Sequence, residues 1–257
     1  MLSRRLRASK TYNNPSTSTP HVFVKALLAI LLLGLLGLSA CTQAQSTQHD
    51  QQSRTSTASS TTSFTYVAIG ASETFGIGTD APYSQNWATD LATKLGSRVH
   101  FVDLGVPGIL IHQALQVELP VAIDAHPNIV TIWLAVNDII SNVPASSYTQ
   151  DLNLLLSRLQ AAVPSARIAV ANVPDLSLLP YFSGYDQQAL QTQVAAYNSA
   201  IATAVSLHHD ILVNIYQYWQ EISQHPEYLS SDGLHPSAIG YERLAEVFYQ
   251  ALQTAQG

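Results

Sequence analysis

The sequence predicts an α/β fold, a three-layer α/β/α sandwich on a central parallel sheet of about five strands. Two observations predict it. Short apolar runs rich in β-branched residues recur from Phe64 onward, and they are mostly apolar on both faces, as strands buried between helix layers must be. Longer amphipathic stretches separate them, and such alternation implies parallel strands joined by right-handed crossovers. In order, the strands are residues 64–69 (FTYVAI), 99–104 (VHFVDL), 129–134 (IVTIWL), 166–171 (ARIAVA) and 211–215 (ILVNI). A first helix covers Trp87–Leu95, and a second covers 148–163, stopped by Pro164. Asp186 caps a third, with Leu190, Val194, Tyr197 and Ile201 at helical spacing. The last runs over 239–254, with Tyr241, Leu244, Ala245, Phe248 and Leu252 in one stripe. Residues 64–257 suit one domain with no internal boundary.

Charge narrows the functional classes. Five of the 11 basic groups (Arg4, Arg5, Arg7, Lys10 and Lys25) lie in residues 1–40, which hold no acid. Beyond residue 40, six basic groups stand against all 17 acids, a formal charge of −11. Such a body repels phosphate backbones, so no nucleic-acid partner is expected. One cysteine excludes a disulfide framework and a cysteine-rich zinc site. No internal period recurs, which excludes a repeat array.

The front of the chain reads as an address. Residues 26–38 form an apolar run of 13, within the roughly 7–15 of a secretory core and short of the roughly 18 needed to span a bilayer. It ends in Leu38-Ser39-Ala40-Cys41, which resembles the lipobox of bacterial lipoprotein signal peptides. That resemblance implies a signal peptide over 1–40, a diacylglyceryl-modified Cys41 as new N-terminus, and a membrane-anchored, extracytoplasmic location. The alternatives are ordinary secretion with an incidental Cys41, or an uncleaved anchor, which the interruption at Lys25 disfavours. Residues 42–63 are dominated by Gln, Ser and Thr, a disordered tether reaching about 25 Å.

Four short motifs carry chemistry, and three of them fall at strand ends, where ligands bind in parallel sheets. Gly70-Ala71-Ser72 follows the first strand. A serine there can present its hydroxyl and its own amide in an open turn, although alone it reads as a turn or cap serine. Gly105-Val106-Pro107-Gly108 follows the second and reads as a tight turn whose bare amide can approach a substrate oxygen. Ala135-Val136-Asn137-Asp138 follows the third. The Asn137 amide can donate to a developing oxyanion, or both side chains can bond the local backbone. Asp232-Gly233-Leu234-His235 precedes the last helix. An acid three residues ahead of a histidine can meet its ring across one turn, fixing the tautomer and stabilising the imidazolium.

Together these motifs resemble the SGNH/GDSL hydrolase family of serine esterases and lipases, and the resemblance spans Gly70 to Ser237, most of the globular body. The resemblance implies a flavodoxin-like sheet, Ser72 as nucleophile, His235 as general base and Asp232 as its partner. It also implies an oxyanion hole from Ser72, Gly108 and Asn137, with no metal or organic cofactor. The implied reaction is carboxylic ester hydrolysis on a small-molecule, lipid or glycan ester. Deacetylation or acyl transfer on envelope glycans is the alternative, and a catalytically inactive glycan- or lipid-binding lipoprotein is the rival from another class. Two positions depart from the family pattern: its G-D-S is Gly70-Ala71-Ser72 here, and its G-x-N-D begins with Ala135.

The remaining candidates read as structural. His208-His209-Asp210 lacks a third ligand at suitable spacing and reads as a solvated lead-in to the fifth strand. His100, His112 and His126 are isolated, and His225-Pro226 is a loop. Tyr216, Tyr218 and Trp219 pack between sheet and helix or wall a cleft. Trp133 belongs to the core, and Glu73 lines the pocket mouth or faces solvent.

Overall fold

A computed structural model describes residues 64–255; the signal peptide and tether expected over 1–63 lie outside the described residues. Five strands form one parallel sheet: β1 (Phe64–Gly70), β2 (Val99–Asp103), β3 (Ile129–Trp133), β4 (Arg167–Ala171) and β5 (Ile211–Val213). Their order is β2-β1-β3-β4-β5. In β1, Tyr66 pairs with Phe101 on one side and with Ile129 on the other. The helices are α1 (Ser72–Phe75), α2 (Trp87–Leu95), α3 (Ile111–Val117), α4 (Leu119–Asp124), α5 (Val136–Ile140), α6 (Ala145–Ala162), α7 (Gln187–His208), α8 (Ile215–Tyr218) and α9 (Ala238–Thr254). One layer is α2 packed on α9; the other is α3, α4, α6 and α7 in a row. This is the expected three-layer sandwich.

Burial follows strand position. β1, β3 and β4 are buried almost throughout, while β2 at the edge alternates half-buried and exposed residues. The expectation that all five runs are covered on both faces therefore fails at the rim, where an edge strand has one neighbour and less helix above it. The core is aromatic between α2 and α9: Trp87 stacks on Phe248 with ring centroids 3.9 Å apart, and Trp133 meets Trp87 edge-on at 6.0 Å. Asp186 caps α7 as expected, its side chain accepting from the Ala189 amide at 3.0 Å. α6 begins three residues earlier than the periodicity suggested, because Pro144 supplies the extended N-cap and Ala145 to Ser147 carry no apolar stripe.

His208 is not part of a solvated lead-in. It ends α7, with Nδ1 facing Gln160 Oε1 at 3.0 Å and Nε2 facing Asn153 Oδ1 at 3.0 Å. His209 makes the left-handed turn (φ +57°) that stops the helix.

The topology fixes where a ligand can sit. From β1 the chain moves to β2 on one side, then returns across β1 to β3 on the other. The crevice opened at that reversal lies at the carboxyl ends of β1 and β3. The first and third motifs follow those two strands, and the second follows β2, which pairs with β1.

Candidate active site

Ser72 opens α1 two residues after the last residue of β1, where the serine motif reads as an open turn from sequence. The helix is one turn long and ends at Gly76, whose amide donates to the Ser72 carbonyl at 2.9 Å. As the first helical residue, Ser72 has a backbone N–H that helix geometry leaves free. Its side chain is nearly buried, and the hydroxyl donates to Glu73 Oε2 at 3.2 Å. Among the described residues no hydrogen bond joins it to His235. Glu73 is itself buried rather than solvent-facing.

The last motif folds as a tight turn around its acid. Asp232 Oδ1 accepts from the Leu234 amide (2.8 Å), the His235 amide (2.9 Å) and the Ser230 hydroxyl (2.8 Å). Its other oxygen lies 2.7 Å from His235 Nδ1. Partial burial raises the Asp232 pKa, but these hydrogen bonds outweigh it and hold the carboxyl down at about 2. An ionised acceptor on Nδ1 keeps that nitrogen protonated and leaves Nε2 as the ring's proton acceptor. Ser237 then caps α9, accepting from the Gly240 amide at 3.2 Å.

The first and last motifs meet through Gly78. A Cβ at that position would stand 2.5 Å from the Pro236 carbonyl oxygen and 3.0 Å from His235 Cβ, and its φ is +100°. Only glycine lets the segment after α1 press this closely on the histidine turn. Tyr241 ties the same segment down, donating from its hydroxyl to the Ile77 carbonyl at 2.7 Å.

The second and third motifs meet beside β1. Val106 to Ile109 form a turn closed by the Ile109 amide on the Val106 carbonyl at 3.1 Å, with Pro107 second and Gly108 third at φ +81°. A Cβ at 108 would have no atom within 4 Å, so the backbone there is open to an incoming ligand. Asn137 reaches this turn, its Nδ2 donating to the Ile109 carbonyl at 3.1 Å. Asp138 fastens the far end: its carboxyl accepts from the Ile111 amide at 3.3–3.4 Å. Burial pushes the Asp138 pKa up to about 6, against the pull of that amide and its own. Read from sequence, Asp138 is a local backbone binder; its bond is instead long-range and positions the Gly108 turn.

Ala135 explains one departure from the family pattern. It sits at φ +95°, a left-handed conformation that glycine adopts without strain. Ala135→Gly is therefore expected to stabilise the fold by about 1 kcal/mol, strain relief exceeding glycine's added backbone entropy. A urea midpoint that is unchanged or lowered would contradict this.

The arrangement offers a poised imidazole, a serine at a helix start and two candidate N–H donors at the mouth of a parallel sheet. That is the equipment of a hydrolase. Residues 68–243 match the model of the GDSL-like Lipase/Acylhydrolase family, so the chain belongs to that family and is an ester-bond hydrolase. Similar folds include TesA (TM-score 0.61, 20% identity, covering 74% of this chain and 98% of that one). The psychrotrophic esterase EstA from Pseudoalteromonas sp. gives TM-score 0.60 and 18% identity over 75% of this chain and 98% of its own. An acetyl xylan esterase, AlAXEase, gives TM-score 0.60 and 14% identity over 73% and 99%. No curated protein matches the sequence.

Sequence reasoning missed Glu73 as the partner of the serine hydroxyl and Asp138 as the anchor of the Gly108 turn. Glu73 and Asp138 each sit beside a motif residue, which was the available signal.

Proposed function

We propose that this protein is a serine esterase acting through Ser72, His235 and Asp232 by way of an acyl-enzyme. The observation that carries the reading is the 2.7 Å Asp232–His235 pair, packed through Gly78 against the segment that follows Ser72. The Ser72 hydroxyl turns from Glu73 about χ1 and its oxygen attacks the ester carbonyl carbon while His235 Nε2 takes the proton. The carbonyl electron pair moves onto oxygen, and N–H groups of Ser72, Gly108 and Asn137 receive that oxyanion. Collapse breaks the bond to the alcohol, which leaves with the proton from His235. Water then attacks the acyl-serine, again giving its proton to His235, and the second collapse releases the acid and restores the Ser72 hydroxyl.

The substrate class is a small-molecule, lipid or glycan carboxylic ester. One feature favours a glycan ester. His235 must protonate the departing alcohol, so the alcohol half lies on the side of the histidine turn. There the Tyr181 amide donates to the Gly233 carbonyl at 3.1 Å, and the Tyr181 side chain is 46% exposed. Exposed phenol rings suit the face of a sugar. The reading of Cys41 as a lipidated residue places the domain outside the membrane on a tether.

A fluorophosphonate probe tests the chemistry and nitrophenyl esters test the substrate. The whole chain is expected to label at Ser72, mapped by peptide mass, and to turn over short acyl esters faster than long ones. No labelling on any residue would leave the inactive binding protein as the better account. For the anchor, Cys41→Ser should move the chain from the membrane to the soluble fraction, and a chain that stays would refute it.

A further inference from the structure

Glu118 joins α3 to α4 with only 2% of its surface exposed, and neither of its carboxyl oxygens has a hydrogen-bond partner. Such a group is rare in a folded chain and calls for a reason. Burial pushes its carboxyl up to about 9; the backbone N–H of Gly70, near the carboxyl but outside hydrogen-bond geometry, opposes that rise, and the charge of Asp103 adds to it. Glu118 is therefore a neutral acid at neutral pH, able to donate as well as accept.

Its neighbour is the strand end that carries the nucleophile. Gly70 is the last residue of β1, two positions before Ser72. Thr74 crowds Gly70 from α1: a Cβ at position 70 would collide with its Oγ1, and that hydroxyl is also buried without a partner. Two unpartnered buried polar side chains thus converge on one residue. Position 71, where the family pattern has an acid, is a buried alanine.

We propose that Glu118 is a positioning residue for Ser72: its buried carboxyl, brought to Gly70 from the α3–α4 junction, fixes the strand end from which α1 springs, where position 71 has no acid to do so. The proposal rests on the reading of Ser72 as nucleophile. Removing the carboxyl frees the strand end, and ionising it places a charge in a dry site that relaxes only if that end shifts. Either change moves Ser72 relative to Gly108 and Asn137. The charged group acting on Glu118 is Asp103 at the end of β2. Across the helix layer, α6 contributes Asp151, which faces His112 at 3.5 Å, and α4 ends in the exposed Asp124.

Because the folded-state value lies above the ordinary 4.5, the stability linked to Glu118 is complete below that pH and is lost as pH rises to about 9. The isosteric Glu118→Gln stays neutral, so its melting temperature relative to wild type should be higher at pH 9 than at pH 5.

The test is the rate of fluorophosphonate labelling in the whole chain between pH 6 and pH 10, beside ester kinetics at pH 7. Glu118→Gln should label within about threefold of wild type at pH 7 and hold its rate where wild type declines above pH 9. Glu118→Leu should label about tenfold more slowly and lose kcat with KM unchanged, the mark of a displaced nucleophile. Wild-type rates in Glu118→Leu, or an undiminished alkaline decline in Glu118→Gln, overturn the proposal. If the leucine variant does not fold, the glutamine pH profile decides alone. A wild-type chain that does not label at Ser72 overturns the nucleophile reading instead, whereas labelling that is blind to Glu118 removes only this proposal.

Discussion

Replacing either Ser72 or His235 by alanine is expected to lower kcat for a nitrophenyl ester by about 10⁴-fold or more, and replacing both should cost little beyond either alone. In the proposed mechanism the two side chains act as one unit. Without the imidazole, the serine hydroxyl has no acceptor for its proton at neutral pH, and without the hydroxyl the imidazole has nothing to activate. Asp232→Asn should cost about 10⁴-fold as well, for a different reason. The carboxylate accepts from Nδ1, so the proton stays there and Nε2 keeps its lone pair. An amide at 232 can donate to Nδ1 instead, which moves the ring proton to Nε2 and blocks it as a base. The asparagine variant should therefore fold but remain inactive, and it should be less stable than wild type above about pH 4, where the charged Asp232 contributes to the fold. Activity within about tenfold of wild type in His235→Ala would remove His235 from the mechanism.

The fold was legible because each strand announced itself in composition. Residues 64–69 and 129–134 are apolar on both faces, and the strands found there, Phe64–Gly70 and Ile129–Trp133, match within one residue at each end. Asp186 marked a helix start with a side chain that caps it. The one-turn helices at Ser72 and Asn137 left no trace, since four or five residues are too few for a 3.6-residue period to register. Ala135 was opaque for the opposite reason: alanine signals no left-handed backbone, and the φ of +95° is imposed by what packs around it.

The candidate site was legible in its parts and not in its joints. Each motif could be placed at a strand or helix end, and the Asp232–His235 contact follows from a spacing of three across one turn. The meeting of Gly78 with the Pro236 carbonyl depends on two segments packing from opposite ends of the chain, and neither advertises the other. Glu118 is the sharpest case. No motif or spacing in the sequence points to it, and only tertiary packing, with α4 against β1 and α3 against α4, puts it in the interior.

Asn137→Ala is expected to lower kcat by about 10²–10³-fold while leaving KM nearly unchanged, because an oxyanion donor acts only once the carbonyl oxygen carries charge. In the proposed mechanism the amide has two jobs. One N–H is spent on the Ile109 carbonyl at 3.1 Å, which holds the Gly108 turn against the end of β3. The other is available for the oxyanion. Truncation removes both, and the turn keeps one tether through the Asp138 carboxyl and the Ile111 amide. Thermal stability should therefore fall little, while turnover falls greatly. Asn137→Asp removes both N–H groups as well and adds a charge. It preserves shape but offers only acceptors, so it loses the strap and sets a negative charge against a negative oxyanion. Its kcat should fall below that of the alanine variant, and its labelling by a fluorophosphonate, whose phosphoryl oxygen occupies the same site, should slow in parallel. If Asn137→Ala kept kcat within about threefold of wild type, the oxyanion role would pass to the Ser72 and Gly108 amides alone. If it raised KM with kcat intact, Asn137 would be a substrate-binding residue instead.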